Sequence, residues 1–198
     1  MSTAIPYTSE PRPDTGVHNV KLGIWLFLAS EVMLFGSLFA GYILLRVGNP
    51  AWGAGQGELS VPLATLNTVV LITSSVTMVL AWAAAMELDK TKFRLFMGST
   101  VGLGAVFLVI KYFEYSAKFH HGIFPDHSTF MAVYFTFTGL HAAHVVAGMV
   151  YNAYLWLPNA KMMDSDPRMF ANRVEAAGLF WHFVDLVWIF LFPVLYLL

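Results

Sequence analysis

Long apolar stretches with few charged residues recur along this chain of 198 residues. A helix that crosses the hydrocarbon core of a membrane needs about 20 mostly apolar residues, and helices satisfy their backbone polar groups internally. Five stretches reach that length, and the connections between them are too short for a second domain. We therefore predict an all-α membrane protein, with a bundle of five transmembrane helices in a single domain over residues 22–198. The predicted spans are about residues 22–45, 63–86, 95–115, 129–157 and 174–198.

The composition supports a membrane protein and excludes several other classes. Hydrophobic residues make up 58% of the chain and charged residues 12%, about half the charged share of an average soluble domain. A soluble fold of this size cannot hide so much apolar surface, and disorder requires the opposite composition. The net charge of −1 provides no basic surface for nucleic acid. Without cysteine, the chain has no disulfides, thiolate zinc sites or thiol nucleophiles.

The distribution of Lys and Arg predicts the orientation in the membrane. Residues 1–21 hold three prolines and no apolar core of a signal peptide, so we interpret them as a cytoplasmic N-terminal tail. This tail and the links at residues 87–94 and 158–173 carry eight basic residues, against three on the opposite side. Because basic residues concentrate on the inner side of membranes, we expect a cytoplasmic N-terminus and a C-terminus outside.

A few ionisable residues interrupt the apolar spans. Placing such a group in hydrocarbon costs about 2.5–3.5 kcal/mol, which makes each one a functional candidate. Glu31 is the only charged residue of the first span. Two interpretations are open: a protonatable site on a proton route, or a neutral carboxyl that hydrogen-bonds to a neighbouring helix. Lys111 and Glu114 lie near the outer end of the third span, where we expect an interfacial ion pair.

Two pairs of polar residues have the i, i+3 spacing of one helical face. His182 and Asp185 form one pair, which we interpret as structural and able to form a direct hydrogen bond. His141 and His144 form the other, which suggests a metal or haem site. A metal site needs further ligands from other helices, and His182 is the only other histidine in the predicted spans. We therefore predict no metal site. From the helix rise, Glu31, His144, His182 and Asp185 could share one belt between the inner third and the midplane.

The chain contains five short motifs, which include all of these residues except Lys111. In chain order they are Trp25-Leu-Phe-Leu-Ala-Ser-Glu31-Val, Leu66-Asn67-Thr68, Phe113-Glu114-Tyr115, Gly139-Leu140-His141-Ala-Ala-His144-Val and Trp181-His182-Phe183-Val184-Asp185-Leu-Val-Trp188. Their order and spacing over residues 20–198 strongly resemble subunit III of the haem-copper terminal oxidases, in its five-helix bacterial form. The last two motifs are the most specific.

The resemblance implies a subunit of a proton-pumping oxidase of aerobic respiration in the bacterial plasma membrane, and it favours cytochrome c oxidase. In this family the subunit is not itself catalytic and binds no cofactor, because haem and copper belong to subunits I and II. It stabilises subunit I, supports proton uptake and holds structural phospholipids in a cleft between two helix groups. The implied partners are subunits I and II and membrane lipids, with other respiratory complexes left open.

The resemblance also implies roles for individual residues. Glu31 matches the carbodiimide-reactive glutamate of the family, which is associated with proton uptake and lipid contacts. His141, His144, His182 and Asp185 would form a buried polar cluster within the bundle.

Other functions are open on the sequence. A subunit III homologue of a quinol oxidase, or one associated with nitric oxide reductase, would carry similar motifs, and Glu rather than Asp at position 31 favours cytochrome c. A small proton-coupled transporter using Glu31 and Asp185 would show inverted repeats and broken helices, and neither is apparent in the sequence.

Overall fold

The computed structural model describes residues 11, 16–49, 52, 59–157 and 162–198. Most of the predicted tail over residues 1–21 therefore lies outside the described residues, as do residues 50–51, 53–58 and 158–161 of the links. The described helices are α1 (Asn19–Gly48), α2 (Val61–Met86), α3 (Lys90–His120), α4 (Thr129–Trp156), the short α5 (Met162–Ser165) and α6 (Pro167–Phe192), which continues into a π-helical segment (Pro193–Leu197).

Five helices in the described part of the chain are long and apolar enough to cross a membrane, which confirms the predicted all-α, five-helix architecture. They are α1, α2, α3, α4, and α6 with its π-helical segment. Several helices extend beyond the predicted spans: α3 runs from Lys90 to His120, and the last long helix begins at Pro167. Hydropathy marks only the part of a helix within hydrocarbon, whereas backbone hydrogen bonding continues through the polar interface, where charged side chains reach water.

Side-chain caps determine where three helices begin. Asp89 precedes α3 and accepts hydrogen bonds from the backbone N–H groups of Thr91 at 3.1 Å and Lys92 at 3.0 Å. Ser128 caps α4 and Asp166 caps α6 in the same way. Such side chains satisfy donors that have no partner within the helix.

The Asp89 cap is expected to depend on pH. The backbone N–H of Lys92 donates to Asp89, and this bond holds the pKa of the carboxyl below its ordinary value of 3.8. Because the folded-state pKa is the lower one, the stabilisation is present above the unfolded-state pKa and is lost as the pH falls through the folded-state pKa. We expect the protection of the Thr91 and Lys92 amides, relative to their intrinsic exchange rates at each pH, to fall on acidification from about pH 5 to about pH 2. Asp89→Asn, which also caps helices, should remove this dependence; an unchanged profile would contradict it.

Four helices form the core of the bundle. α2 packs against α3 and α6, and α4 packs against the same two helices. At the centre lies Trp181 of α6, which is fully buried and donates from Nε1 to Ser74 Oγ of α2 at 3.0 Å. Its ring lies so close to Gly104 of α3 and Gly148 of α4 that an added Cβ would come within 2.9 Å and 2.8 Å of it. Trp181 therefore contacts every helix of the core.

α1 lies outside this core, against α6 and beside α4. The described helices thus form one group of four, with the single helix α1 at its side. Three contacts hold α1 parallel to α6: Lys21 with Glu175 at 2.8 Å, the Tyr42 hydroxyl with the Val194 carbonyl at 2.8 Å, and Arg46 with the Leu198 carbonyl at 2.6 Å. Glu31 and Asp185 each lie ten residues beyond the Lys21–Glu175 pair, so they lie at a similar depth.

Candidate functional site

Glu31 and His144 join the peripheral helix α1 to α4. Glu31 Oε2 lies 2.9 Å from His144 Nε2, and His144 Nδ1 lies 2.8 Å from the carbonyl oxygen of Leu140. A carbonyl oxygen can only accept, so Nδ1 carries a hydrogen in this geometry. The bond to Glu31 then contains one proton. Either a protonated carboxyl donates to a neutral imidazole, or an imidazolium donates to a carboxylate, and the pair is neutral overall in both forms.

Aromatic rings surround this hydrogen bond. The His144 ring centroid lies 5.2 Å from that of Phe35 and 6.3 Å from that of Phe180. The side chains of Glu31 and His144 are 12% and 15% exposed. The pair is therefore screened by apolar groups but still reachable from the surface of the bundle.

Two apolar grooves follow the seam between α1 and α4, one on each side of the Glu31–His144 hydrogen bond. The groove along the N-terminal half of α1, which we call the inner groove, has a volume of about 410 Å³, and the groove along its C-terminal half, which we call the outer groove, has a volume of about 250 Å³. Residues lining the inner groove include Gly23, Phe27, Ala147, Tyr151 and Phe180, and those lining the outer groove include Ser37, Gly41, Ala132, Thr136 and Phe137. The hydrogen bond thus divides an otherwise open seam.

His182 and Asp185 lie at a different seam, between α6 and α2. His182 Nδ1 is 2.6 Å from the hydroxyl of Ser75. Asp185 is buried beside Ser75, but neither carboxyl oxygen makes a well-oriented hydrogen bond within the described part of the chain. The direct His182–Asp185 bond that the spacing allowed is not formed, because Ser75 of the neighbouring helix engages the histidine ring instead.

His141 is separate from both seams. Its ring lies in the core, with its centroid 5.5 Å from that of Phe107 and 5.1 Å from that of Trp188. Neither ring nitrogen has a hydrogen-bond partner among the described residues. His141 and His144 point to different neighbours, because a three-residue step turns a helix by about 300° and leaves side chains about 60° apart. The four residues expected to form one cluster are therefore distributed over three places.

The end of the bundle at which α3 ends and α4 begins contains a buried ionic network. Lys111 Nζ lies 2.8 Å from Glu114 Oε2, and the hydroxyls of Tyr134 and Tyr196 both donate to Glu114 Oε1 at 2.8 Å. Lys111 also donates to the Tyr196 hydroxyl at 2.6 Å and lies 4.6 Å from the centre of the Trp188 ring. Lys111 and Glu114 are each 5% exposed. The ion pair predicted from the sequence is formed, and α4 and the π-helical segment cover it, so that it is buried within the bundle.

Three residues of these sites were not predicted from the sequence: Ser75, Tyr134 and Tyr196. A Ser hydroxyl in a membrane helix commonly bonds to its own backbone, as Ser74 does to Leu71 here, so Ser75 carried no signal. Tyrosines near helix ends are typical of the aromatic belt at the membrane interface, so Tyr134 and Tyr196 were not predicted to be buried. The available signal was the Lys111–Glu114 pair itself, since buried charges require further hydrogen-bond partners.

Known proteins match this chain over all of its described helices. The family model for cytochrome c oxidase subunit III matches residues 13–198. The chain is 36% identical over 183 residues to cytochrome c oxidase subunit 3 of Bacillus sp. (strain PS3), covering 91% of this chain and 86% of the relative. It is 32% identical to cytochrome bo(3) ubiquinol oxidase subunit 3 of Pseudomonas aeruginosa, covering 91% and 85%. It is also 30% identical to heme-copper oxidase subunit I+III of Aeropyrum pernix, covering 90% of this chain and 22% of that longer protein.

Proposed function

We propose that this chain, which belongs to the cytochrome c oxidase subunit III family, supports proton uptake by its oxidase through Glu31 and His144. It is a non-catalytic subunit of a haem-copper oxidase in a bacterial membrane, in a family that carries no redox centres. It functions with oxidase subunits I and II, and a relative named subunit I+III supports its association with subunit I. Within the described residues, no group of three or more His, Cys, Asp or Glu could hold a metal ion.

The observation that carries this proposal is the 2.9 Å contact between Glu31 Oε2 and His144 Nε2, a hydrogen bond that requires one proton between the two side chains. The proton can move between Oε2 and Nε2, which are 2.9 Å apart, without changing the net charge of the pair. A site that holds a proton without net charge is compatible with apolar surroundings, where an isolated charge is costly. The pair therefore has the properties of a proton-holding site near the surface of the bundle. From there it would supply protons to subunit I and so stabilise subunit I during turnover.

The two grooves along the α1–α4 seam support a role in lipid binding. Both are open and mainly apolar, which suits the acyl chains of structural phospholipids. With the N-terminus in the cytoplasm, as the excess of basic residues on that side favours, the inner groove faces the cytoplasmic leaflet. Lipid in both grooves would fill the cleft between α1 and the four-helix core and cover the approach to Glu31.

We assign cytochrome c as the electron donor of the complex. Glu rather than Asp at position 31 favours this assignment. The relatives include several named cytochrome c oxidase subunit 3 and one named ubiquinol oxidase subunit 3. The oxidation of reduced cytochrome c by the purified complex, compared with oxidation of a quinol, tests the assignment.

The substitution Glu31→Gln removes the transferable proton but keeps a hydrogen bond to His144. The Gln amide can donate an N–H to His144 Nε2, so α1 should stay in place, but the amide has no transferable proton. We expect the variant oxidase to assemble and begin turnover near the wild-type rate. It should then take up protons more slowly and lose activity within fewer turnovers. Proton uptake in reconstituted vesicles and the active lifetime during continuous turnover measure these effects.

Two matched variants complete the test. Ser30→Ala is the neighbouring control, because the exposed Ser30 hydroxyl bonds to the Phe27 carbonyl of its own helix at 2.7 Å. It should behave as wild type. Glu31→Leu removes both the hydrogen bond and the proton. If Glu31→Gln matches wild type over prolonged turnover and only Glu31→Leu shortens it, the role of Glu31 is structural.

A further inference from the structure

The seam between α2 and α6 opens on the outside of the bundle. Ser75 and His182 meet there, and both are half-buried. Exposed apolar side chains flank them on both helices. We call this surface the α2–α6 face, formed by Ile72, Ser75 and Val79 of α2 and by His182, Leu186 and Ile189 of α6. It is a polar spot within an apolar surface.

The His182 ring has an unused hydrogen-bonding nitrogen in this face. Across the described residues its hydrogen bond is the one from Nδ1 to Ser75. If Ser75 donates to Nδ1, then Nε2 carries a hydrogen and needs an acceptor; if Nδ1 donates to Ser75, then Nε2 is a lone pair that needs a donor. Either tautomer leaves Nε2 without a partner.

The depth of His182 excludes the usual partners of a surface histidine. His182 lies seven residues beyond Glu175, which pairs with Lys21 at the inner end of the bundle. At 1.5 Å per residue, the ring lies about 10 Å further into the membrane than this ion pair. Bulk water and lipid headgroups do not occupy hydrocarbon at that depth, and acyl chains offer neither donor nor acceptor. A protein side chain is the partner that remains.

The outward face of α3 around Val109 differs. There Val106, Val109 and Phe113 form an exposed apolar surface. The hydroxyl of Ser99 on the same helix bonds to the Leu95 carbonyl at 2.8 Å, so it needs no outside partner. Lipid can cover such a surface at no polar cost. The unsatisfied nitrogen therefore distinguishes the α2–α6 face from the α3 face.

We infer that the α2–α6 face docks this chain onto a transmembrane helix of subunit I that presents a hydrogen-bonding side chain to Nε2 of His182. Subunit I is the partner because a relative is named as subunits I and III together. Ser75 is a small residue at the centre of this face, and small residues let a further helix approach closely. The inference rests on membership of an oxidase complex and is independent of the proton-holding role of Glu31.

Site-specific photo-cross-linking tests this docking in the intact oxidase. Benzoylphenylalanine replaces Leu186 or Val79 on the α2–α6 face, or Val109 on α3 as the control. After illumination in native membranes, the adducts are identified by mass spectrometry. We expect adducts with subunit I to form several-fold more from positions 186 and 79 than from position 109. Equal yields, lipid adducts alone from the α2–α6 face, or subunit I adducts from position 109 alone would overturn the inference.

The His182 contact itself has a separate test. His182→Phe keeps an aromatic ring but cannot hydrogen-bond, so more of this chain should dissociate from the oxidase in increasing detergent. His182→Gln restores a donor and an acceptor and should restore retention. Ser75→Ala removes the internal bond to Nδ1 while leaving Nε2 in place, so the chain should be retained. Retention of the His182→Phe chain equal to that of wild type would contradict docking through Nε2.

Discussion

Lys111→Met should lower the free energy of unfolding of the full chain by about 3–5 kcal/mol, because it leaves one member of a buried ion pair without the other. Lys111 and Glu114 are each 5% exposed, and their N–O distance is 2.8 Å. The hydroxyls of Tyr134 and Tyr196 complete the coordination of the Glu114 carboxyl but carry no positive charge. Unfolding in mixed detergent and SDS micelles, followed by circular dichroism, measures the loss.

A double variant and an exposed control identify the cause. Lys111→Met combined with Glu114→Gln removes both charges while retaining an acceptor for the two phenols, so it should recover most of the lost stability. Lys92→Met breaks an exposed pair with Asp89 at 3.3 Å and should change stability by less than about 1 kcal/mol. If the double variant is as unstable as Lys111→Met alone, the ion pair is not the source of the effect.

Trp181→Ala should destabilise the chain by about 3–5 kcal/mol, the range for removing a fully buried large aromatic side chain. Trp181 is 0% exposed and contacts all four helices of the core. Trp25→Ala is the matched control, because Trp25 of α1 is 59% exposed and should tolerate the change within about 0.5 kcal/mol. Equal losses in the two variants would show that tryptophan content, rather than the packing of Trp181, determines stability.

A double-mutant cycle between Trp181 and Gly148 tests the packing of the Trp181 ring against α4. A Cβ at Gly148 would lie 2.8 Å from the Trp181 ring, so Gly148→Ala alone should cost about 1–3 kcal/mol. In the Trp181→Ala background the space is open, and Gly148→Ala should cost much less. Additive effects in this double-mutant cycle would contradict the close α4–α6 contact.

The sequence predicted the number of spans but not their ends. Apolar length identified the five helices, because hydrocarbon requires about 20 apolar residues per crossing. The helices α3 and α6 begin five and seven residues before the predicted spans, because their first turns carry charged residues and are still helical. The Asp89 and Asp166 caps were the local signals of the true starts.

Residue depth was likewise more predictable than residue partners. Glu31 and His144 were expected at similar depths, and the structure joins them at 2.9 Å. His182 and Asp185 were expected to bond to each other, yet Ser75 of another helix engages His182. Depth follows from counting residues along a helix, whereas a partner depends on how neighbouring helices are rotated about their axes.

By itself the sequence therefore determined the five crossings and the motifs by which the family could be identified, because a bilayer forces each segment to satisfy its own backbone. Only the tertiary structure decided which helix each polar side chain meets. It joined Glu31 to His144, isolated His141 in the core and buried the Lys111–Glu114 pair under α4 and the π-helical segment. The physical reason is that side-chain contacts between helices depend on rotation and neighbour order, and in an apolar solvent many rotations bury similar amounts of apolar surface.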